Sequence, residues 1–370
     1  MNRMIVANLV HRPVRSVISI IAIALEVTLI LVIVGFSMGR LNDTVQRQLG
    51  IGADMMVSPP SSSVLVGMSG ASMPVKVADR LKRDVPHIAV ITPVYTKLTA
   101  GKSGMETIFG IDFPSYNALG NPFHFIAGGP FEQPFDVIVD DMFAQSKKGL
   151  KIGDQIKILN RDFRVVGIVE HGKGGRKFVP LTTLQDLTNT PAMCTLLYVK
   201  LDNPANIETV KQTILGIDLF KEYSVLSMQE WLTQMQPDTI PGLTAFINVV
   251  IGVSVIIGFI VIFQAMYTAV MERTREIGIL KSLGASKLYI VNVILRETVL
   301  LAIGGIVVGI VFSLAARLGI IHRLPTLPLV VSGSWMLRAA IIAIVGAIAG
   351  ALYPAYKAAQ KDPIDALAYE

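Results

Sequence analysis

Four long apolar runs constrain this chain more than any other feature. Val17–Phe36 is interrupted only by Glu26, and Leu243–Val270 lies within a stretch, Ile240–Met271, that has no charged residue. Thr298–Ala316 and Trp335–Tyr356 follow. A helix needs about 20 apolar residues to cross a hydrocarbon core of roughly 30 Å, so each run predicts a transmembrane helix. Burial of four such helices in a soluble core is the competing reading, and the number and length of the runs count against it. Arg3, Arg12 and Arg15 before the first run also suit a signal peptide. Its apolar core is too long for one, and no small-x-small cleavage site follows, so the run reads as an uncleaved signal anchor.

Composition agrees: 52% of the 370 residues are apolar and the mean hydropathy is +0.57. The net charge of +6 would suggest nucleic acid in a soluble protein, so its distribution matters. Of 33 Lys+Arg and 27 Asp+Glu, 13 and 7 lie outside Met38–Pro241, which leaves 20 of each within it. The surplus therefore belongs to the membrane parts and argues for topology, with no nucleic-acid partner. Arg3, Arg12 and Arg15, then Arg273, Arg275, Lys281, Lys287 and Arg296, then Lys357 and Lys361 flank the spans on one side. The positive-inside rule places both termini and the second link in the cytoplasm.

The expected organisation is a cytoplasmic amphipathic N-terminal helix over 1–16, then spans 17–37, 242–270, 298–317 and 335–356. An extracytoplasmic α+β domain occupies 38–241, a cytoplasmic segment 271–297, a short extracytoplasmic loop 318–334 and a cytoplasmic tail 357–370. Within the large domain, Ile88–Val94, Thr107–Ile111, Val137–Val139, Gln155–Leu159 and Phe163–Val169 are short apolar or alternating runs that read as strands. Val75–Asp84, Met142–Lys148, Thr182–Asn189 and Asn206–Leu215 read as helices. The Pro/Ser-rich stretch from Ser58 toward Met73 reads as a loop with exposed methionines.

Several patterns imitate chemical sites. Gly101-Lys102-Ser103 resembles the end of a phosphate loop, but the glycine required five positions earlier is Thr96. Gly172-Lys173-Gly174-Gly175-Arg176-Lys177 is basic and glycine-rich without a complete dinucleotide fingerprint, and reads as a flexible loop. Asp140 and Asp141 read as solvated surface. Cys194 is the only cysteine, and the five histidines form no pair at ligand spacing, so neither a disulfide nor a metal site is expected. No catalytic residue is assigned.

The segment between the second and third runs carries the strongest functional pattern. Glu272, Arg273, Thr274, Arg275, Glu276, Ile277, Gly278, Ile279, Leu280, Lys281, Ser282, Leu283, Gly284 and Ala285 form a short helix with a dense charge band. Its apolar edge is expected from Ile277, Leu280 and Leu283. Gly284 is its stop and Ser286 the cap of the next helix. Such an element suits docking into a partner's groove.

This run resembles the corresponding segment of the MacB/FtsX-type ABC permeases, which include lipoprotein-release permeases. The tail Tyr353-Pro354-Ala355…Ala358-Ala359…Pro363…Ala366-Leu367, and the pattern from Phe143 to Glu170 with Lys151-Ile152-Gly153-Asp154 and Val165-Val166-Gly167-Ile168, are similar to other parts of that family. The resemblance implies a MacB-like core domain outside the membrane, a dimer of permease subunits, and two copies of a cytoplasmic ATPase. ATP and Mg would be bound by that partner, with no cofactor on this chain. It also implies the bacterial inner membrane, with a periplasmic adaptor or outer-membrane component as a further partner class.

Two intramembrane features remain. Gly35 and Gly39, Gly305 and Gly309, and Gly346 and Gly350 have the four-residue spacing that lets helices approach closely, either within the subunit or across a dimer. Glu26 is costly in mid-span and either faces a central cavity or bonds through Gln264 or Thr28. Two functions remain open: export of an amphiphile such as a lipoprotein, lipid, peptide, haem or drug, and signalling that activates a cell-wall hydrolase without transport.

Overall fold

The computed structural model describes residues 13–62, 70–101, 104–147 and 149–361. The expected amphipathic helix lies almost wholly outside these residues, as do Lys102 and Ser103 of the glycine-lysine-serine run and the tail beyond Lys361. Two compact units emerge. One comprises residues up to Gly39, Gly242–Ile321 and Leu329 onward, and the other Arg40–Pro241 with His322–Pro328.

Helix α1, Pro13–Leu49, starts four residues before the apolar run and continues beyond it, through Gly35 and Gly39, until Gly50. Its last turns are amphipathic: Leu41 and Val45 turn toward the core of the second unit, and Gln48 accepts a hydrogen bond from the buried Tyr198 hydroxyl. That unit is a mixed α/β domain. In chain order it contains β1 Met55–Ser58, β2 Met73–Pro74, α2 Lys76–Asp84, β3 Ile88–Gly101, β4 Gly104–Ile111, α3 Phe113–Asn117, β5 Phe125–Gly128, β6 Asp136–Asp140 and α4 Asp141–Ser146. Then come β7 Gln155–Ile158, β8 Arg161–Val169, β9 Lys177–Pro180, α5 Leu181–Leu187, β10 Met193–Cys194, β11 Leu196–Leu201, α6 Ile207–Gly216, β12 Ser224–Ser227 and α7 Met228–Gln234.

The main sheet runs β12-β1-β11-β3-β4-β9-β6-β8-β5, with β7 paired to β8. Its β4–β9 and β6–β8 pairs are parallel. One face carries an aromatic cluster in which the fully buried Phe178 meets Phe123 edge-on at 4.9 Å and Phe109 at 5.9 Å between ring centroids. All five expected strands and all four expected helices form, with ends displaced by a few residues. The methionine expectation is corrected at Met73, which is buried and paired with Cys194 in the small β2–β10 sheet.

The other unit is a helical bundle of α1 with α8 Leu243–Glu272, α9 Thr274–Ser282, α10 Lys287–Arg323 and α11 Gly333–Gln360. Among the described residues, four helices are long and apolar enough to cross a membrane. The third extends well before the expected start at Thr298, because Lys287–Glu297 holds no helix breaker. Ser332 caps α11 by accepting from the Trp335 N–H.

Glycine contacts lock the bundle. A side chain at Gly305 would meet Ile23 at 2.6 Å, one at Gly309 the Ala24 carbonyl oxygen at 2.8 Å, and one at Gly350 the Phe259 carbonyl oxygen at 2.8 Å. Gly35 lies equally close to the Val330 carbonyl and accepts the Val330 N–H. Gly39 is buried. These approaches lie within one subunit, since small residues let helix backbones approach each other.

Candidate functional site

The charged segment between α8 and α10 folds into α9, a nine-residue helix tied to the bundle at both ends. Thr274 and Gly278 face inward and are buried. Arg273, at its start, places Nη1 3.1 Å from Glu297 Oε2 on α10. Both side chains are largely buried, so each offsets part of the other's desolvation cost. Glu297 went unnoticed in the sequence, where it sits one residue before an expected span. An acid abutting an apolar run was the available signal.

At the far end, Lys281 Nζ donates to the Ala359 carbonyl oxygen at 3.1 Å and to that of Lys361. A lysine at the C-terminus of α11 satisfies carbonyls that have no intrahelical donor and suits the helix dipole. Gly284 takes φ +92° and ends the segment, a conformation that costs glycine little. Ser286 Oγ then accepts the Tyr289 N–H at 3.2 Å, capping α10.

The expected apolar edge is corrected. Ile277 packs against the bundle core and Leu280 is only half exposed, whereas Leu283 and Leu288 are 80% and 81% exposed. Ile279 and Tyr289 are also exposed. Ile279 and Leu283 are one turn apart on a face turned away from the bundle. Beside them is a groove of about 410 Å³ lined by Arg273, Glu276, Ile277, Ile279 and Leu280 from α9 and Tyr289, Ile290, Val293, Ile294 and Glu297 from α10. Glu272, Arg275 and Glu276 remain exposed around it, and Ala285 is half-buried.

Glu26 and Gln264 are not brought together. The Glu26 carboxylate is buried against Gly258, where an added side-chain carbon would sit 1.9 Å from Oε2, with Gly346 behind it at 3.9 Å. Glu26 Oε1 has no hydrogen-bond partner in the structure. Gln264 instead lines an apolar groove of about 740 Å³ between α1 and α8, with Val14, Ile18 and Val261. Thr28 donates to the Gly309 carbonyl oxygen rather than to Glu26.

Two expectations in the α/β domain are also corrected. Asp140 is buried, accepting the Phe143 N–H at 2.6 Å and Arg176 Nη1 at 3.0 Å, while Asp141 accepts from His171. The basic glycine run is packed rather than free: Lys173 is buried, its carbonyl accepts the Tyr116 hydroxyl, and the Gly174 N–H donates to the Arg47 carbonyl. The tight approach of Gly174 to Ile51 and Tyr116 is what orders it.

Comparison with known proteins gives two domain matches. Residues 16–217 match the MacB-like periplasmic core domain, and residues 248–363 the FtsX-like permease C-terminal domain. The macrolide export ATP-binding/permease protein MacB of Bdellovibrio bacteriovorus is 28% identical over 239 residues, 59% of this chain and 36% of that protein. An uncharacterized ABC transporter permease, YknZ of Bacillus subtilis, is 39% identical over 153 residues, 40% of this chain and 37% of that one. The chain thus spans little more than a third of the length of these relatives. MacB of Mannheimia succiniciproducens is 23% identical over 397 aligned positions, which take in 100% of this chain and 60% of that protein. The crystal structure of the periplasmic region of MacB from Actinobacillus actinomycetemcomitans aligns with a TM-score of 0.39 at 15% identity, over 50% of this chain and 94% of that one.

Proposed function

This chain belongs to the family of ABC permeases with a MacB-like periplasmic core domain and an FtsX-like C-terminal domain, and from that premise we propose that it is the membrane subunit of an ATP-driven export machine. In this reading two copies pair in the bacterial inner membrane with both termini in the cytoplasm. ATP and Mg are bound by two copies of a cytoplasmic ATPase. The cargo is an amphiphile, received at the membrane or from the outer side and passed toward a periplasmic adaptor.

The observation that carries the reading is the exposed apolar patch of Ile279 on α9, Leu283 just after it, and Leu288 and Tyr289 at the start of α10, with α9 tied to the rest of the bundle. Exposed leucines that flank the turn between an anchored, charged helix and the start of α10 suit insertion into a partner's groove. Anchoring matters for coupling, since a partner can move only what is rigidly connected. Arg273–Glu297 joins α9 to α10, and Lys281 joins it to the end of α11. ATP-driven closure of the partner would displace these helices as rigid bodies and, through α1 and α8, the domain that they flank in sequence.

The test replaces the exposed Glu272, Arg275 and Glu276 with alanine, keeping the largely buried Arg273 and the buried Thr274, and measures assembly with the ATPase and substrate-stimulated hydrolysis. Loss of either supports the coupling role, and retention of both removes it. Signalling to a cell-wall hydrolase is the second reading, favoured by the same rigid connection because movement of an outer domain needs no cargo. Mass spectrometry of molecules that co-purify with the complex separates the two.

A further inference from the structure

The coupling reading makes no use of a cluster of charge in the α/β unit, in which Lys177 is buried, Arg47 and Arg176 are half-buried and Arg40 is exposed at the rim. Arg40, Arg47, Arg176 and Lys177 line one partly enclosed cavity of about 70 Å³. That is several times the ~10–15 Å³ needed by a single bound water, so it admits a multi-atom ion. Three of the four cations already have partners. Arg47 Nε lies 3.1 Å from Asp43 Oδ2, Arg176 bridges Asp43 and Asp140 at 3.0 Å each, and Lys177 pairs with Glu106. Arg40 has no side-chain partner among the described residues. Four cations therefore face three carboxylates.

The donor count points the same way. A guanidinium carries five N–H donors, and the bonds of Arg176 and Arg47 leave N–H groups over on each. Buried donors need acceptors, and a concave site of one sign within low-dielectric walls concentrates the opposite charge. Phosphate oxygens match arginine forks with short, charge-assisted bonds.

Chain connectivity locates the cavity at the edge of the bilayer. Arg40 follows the first apolar run on the continuous helix α1, about 6 Å beyond Phe36 at 1.5 Å per residue. Thr326 and Leu327, which close another wall, lie in the short link that follows the third long helix. That is the depth of lipid headgroups.

We propose that this cavity binds a phosphate group at the outer membrane surface, as a phospholipid headgroup or as free phosphate. The test uses the purified full chain, stripped of lipid in detergent, with two probes: inorganic phosphate by titration calorimetry and short-chain phosphatidylglycerol by native mass spectrometry. Arg40→Gln removes the unpartnered cation and should weaken binding about tenfold, the worth of one charge-assisted bond. Glu106→Gln releases Lys177 and should strengthen binding, a gain that a misfolded protein would not show. Both effects on the lipid alone identify a headgroup site, on phosphate alone a free-anion site, and on both a phosphate site open to either. The proposal is overturned if neither probe binds the wild-type chain, or if both variants leave both affinities unchanged.

Discussion

Arg273 Nη1 and Glu297 Oε2 lie 3.1 Å apart in a part of the bundle where neither side chain reaches much solvent. The pair joins the start of the short helix α9 to the first third of a much longer one, and its worth lies in that connection more than in net stability. A buried pair can be replaced by apolar residues at little cost, but removal of one partner strands the other.

Glu297→Ala is therefore expected to destabilise the bundle by up to about 3–5 kcal/mol, because the largely buried Arg273 would lose the carboxylate 3.1 Å from its Nη1. Arg273→Met combined with Glu297→Leu should restore most of that loss. Thermal unfolding in detergent checks both, and equal stability of the single and double variants would contradict the pairing.

Leu283 and Leu288 are expected to behave in the opposite way. Each is about four-fifths exposed, so Leu283→Asp and Leu288→Asp should alter the stability of the isolated chain by no more than about 0.5 kcal/mol. Co-purification with the ATPase should nevertheless fall sharply, because an exposed apolar anchor contributes only once a partner covers it. Undiminished co-purification would place the docking surface elsewhere.

A methyl group on Gly258 would meet the Glu26 carboxylate, which would have to swing aside within the bundle. Gly258→Ala should cost about 1–3 kcal/mol through overpacking, and Glu26→Ala in the same chain should relieve most of it. Additive losses in the double variant would show that the two do not touch.

Burial pushes the Asp140 carboxyl up to about 6, against the pull of Arg176 and of the Phe143 N–H. The folded-state value lies above the unfolded one, so folding takes up a proton between about pH 4 and 6. This contribution stabilises the domain as pH falls through that window and is absent above it. Asp140→Asn should gain stability relative to wild type as pH rises from 4 to 7, by at most about 3 kcal/mol at 1.36 kcal/mol per pKa unit. Urea titrations followed by the fluorescence of the buried Trp231 at the two pH values measure the difference, and a pH-independent difference would contradict the shift.

Phe178 stands at the centre of the aromatic cluster, with Phe109, Tyr116 and Phe123 around it. Phe178→Ala should cost about 3–5 kcal/mol, the range for deletion of a large buried ring. The same urea titration reads it, and a loss below about 1 kcal/mol would mean that the cluster collapses around the gap.

The spans, strands and helices were legible in the sequence because apolar period and length are local properties, and Gly284 and Ser286 marked the ends of α9 and α10 for the same reason. What could not be read was pairing across the chain. Asp140 and Asp141 look alike in sequence, yet one is buried against Arg176, 36 residues away, and the other meets His171. Glu297 looked like the margin of a span until Arg273 was placed beside it. The expected edge of α9 fails at Ile277 and holds at Leu283, since Ile277 and Ile279 are equally apolar and only the bundle decides which of them is covered. Gln264 failed as a partner for Glu26 because six residues along α8 carry a side chain well away from it.

The central claim is that docking at Leu283 moves the outer domain, and inter-subunit distances measure this directly. Cys194 is buried with its thiol pushed up to about 12, so it should stay unreactive while spin labels attach to a cysteine introduced at the exposed Gln212. Pulsed electron resonance on the assembled complex should show the distance between outer domains shift when ATP and Mg are added. The shift should vanish in Leu283→Asp. An unchanged distance in the wild-type complex, or the same shift in the variant, would contradict the account.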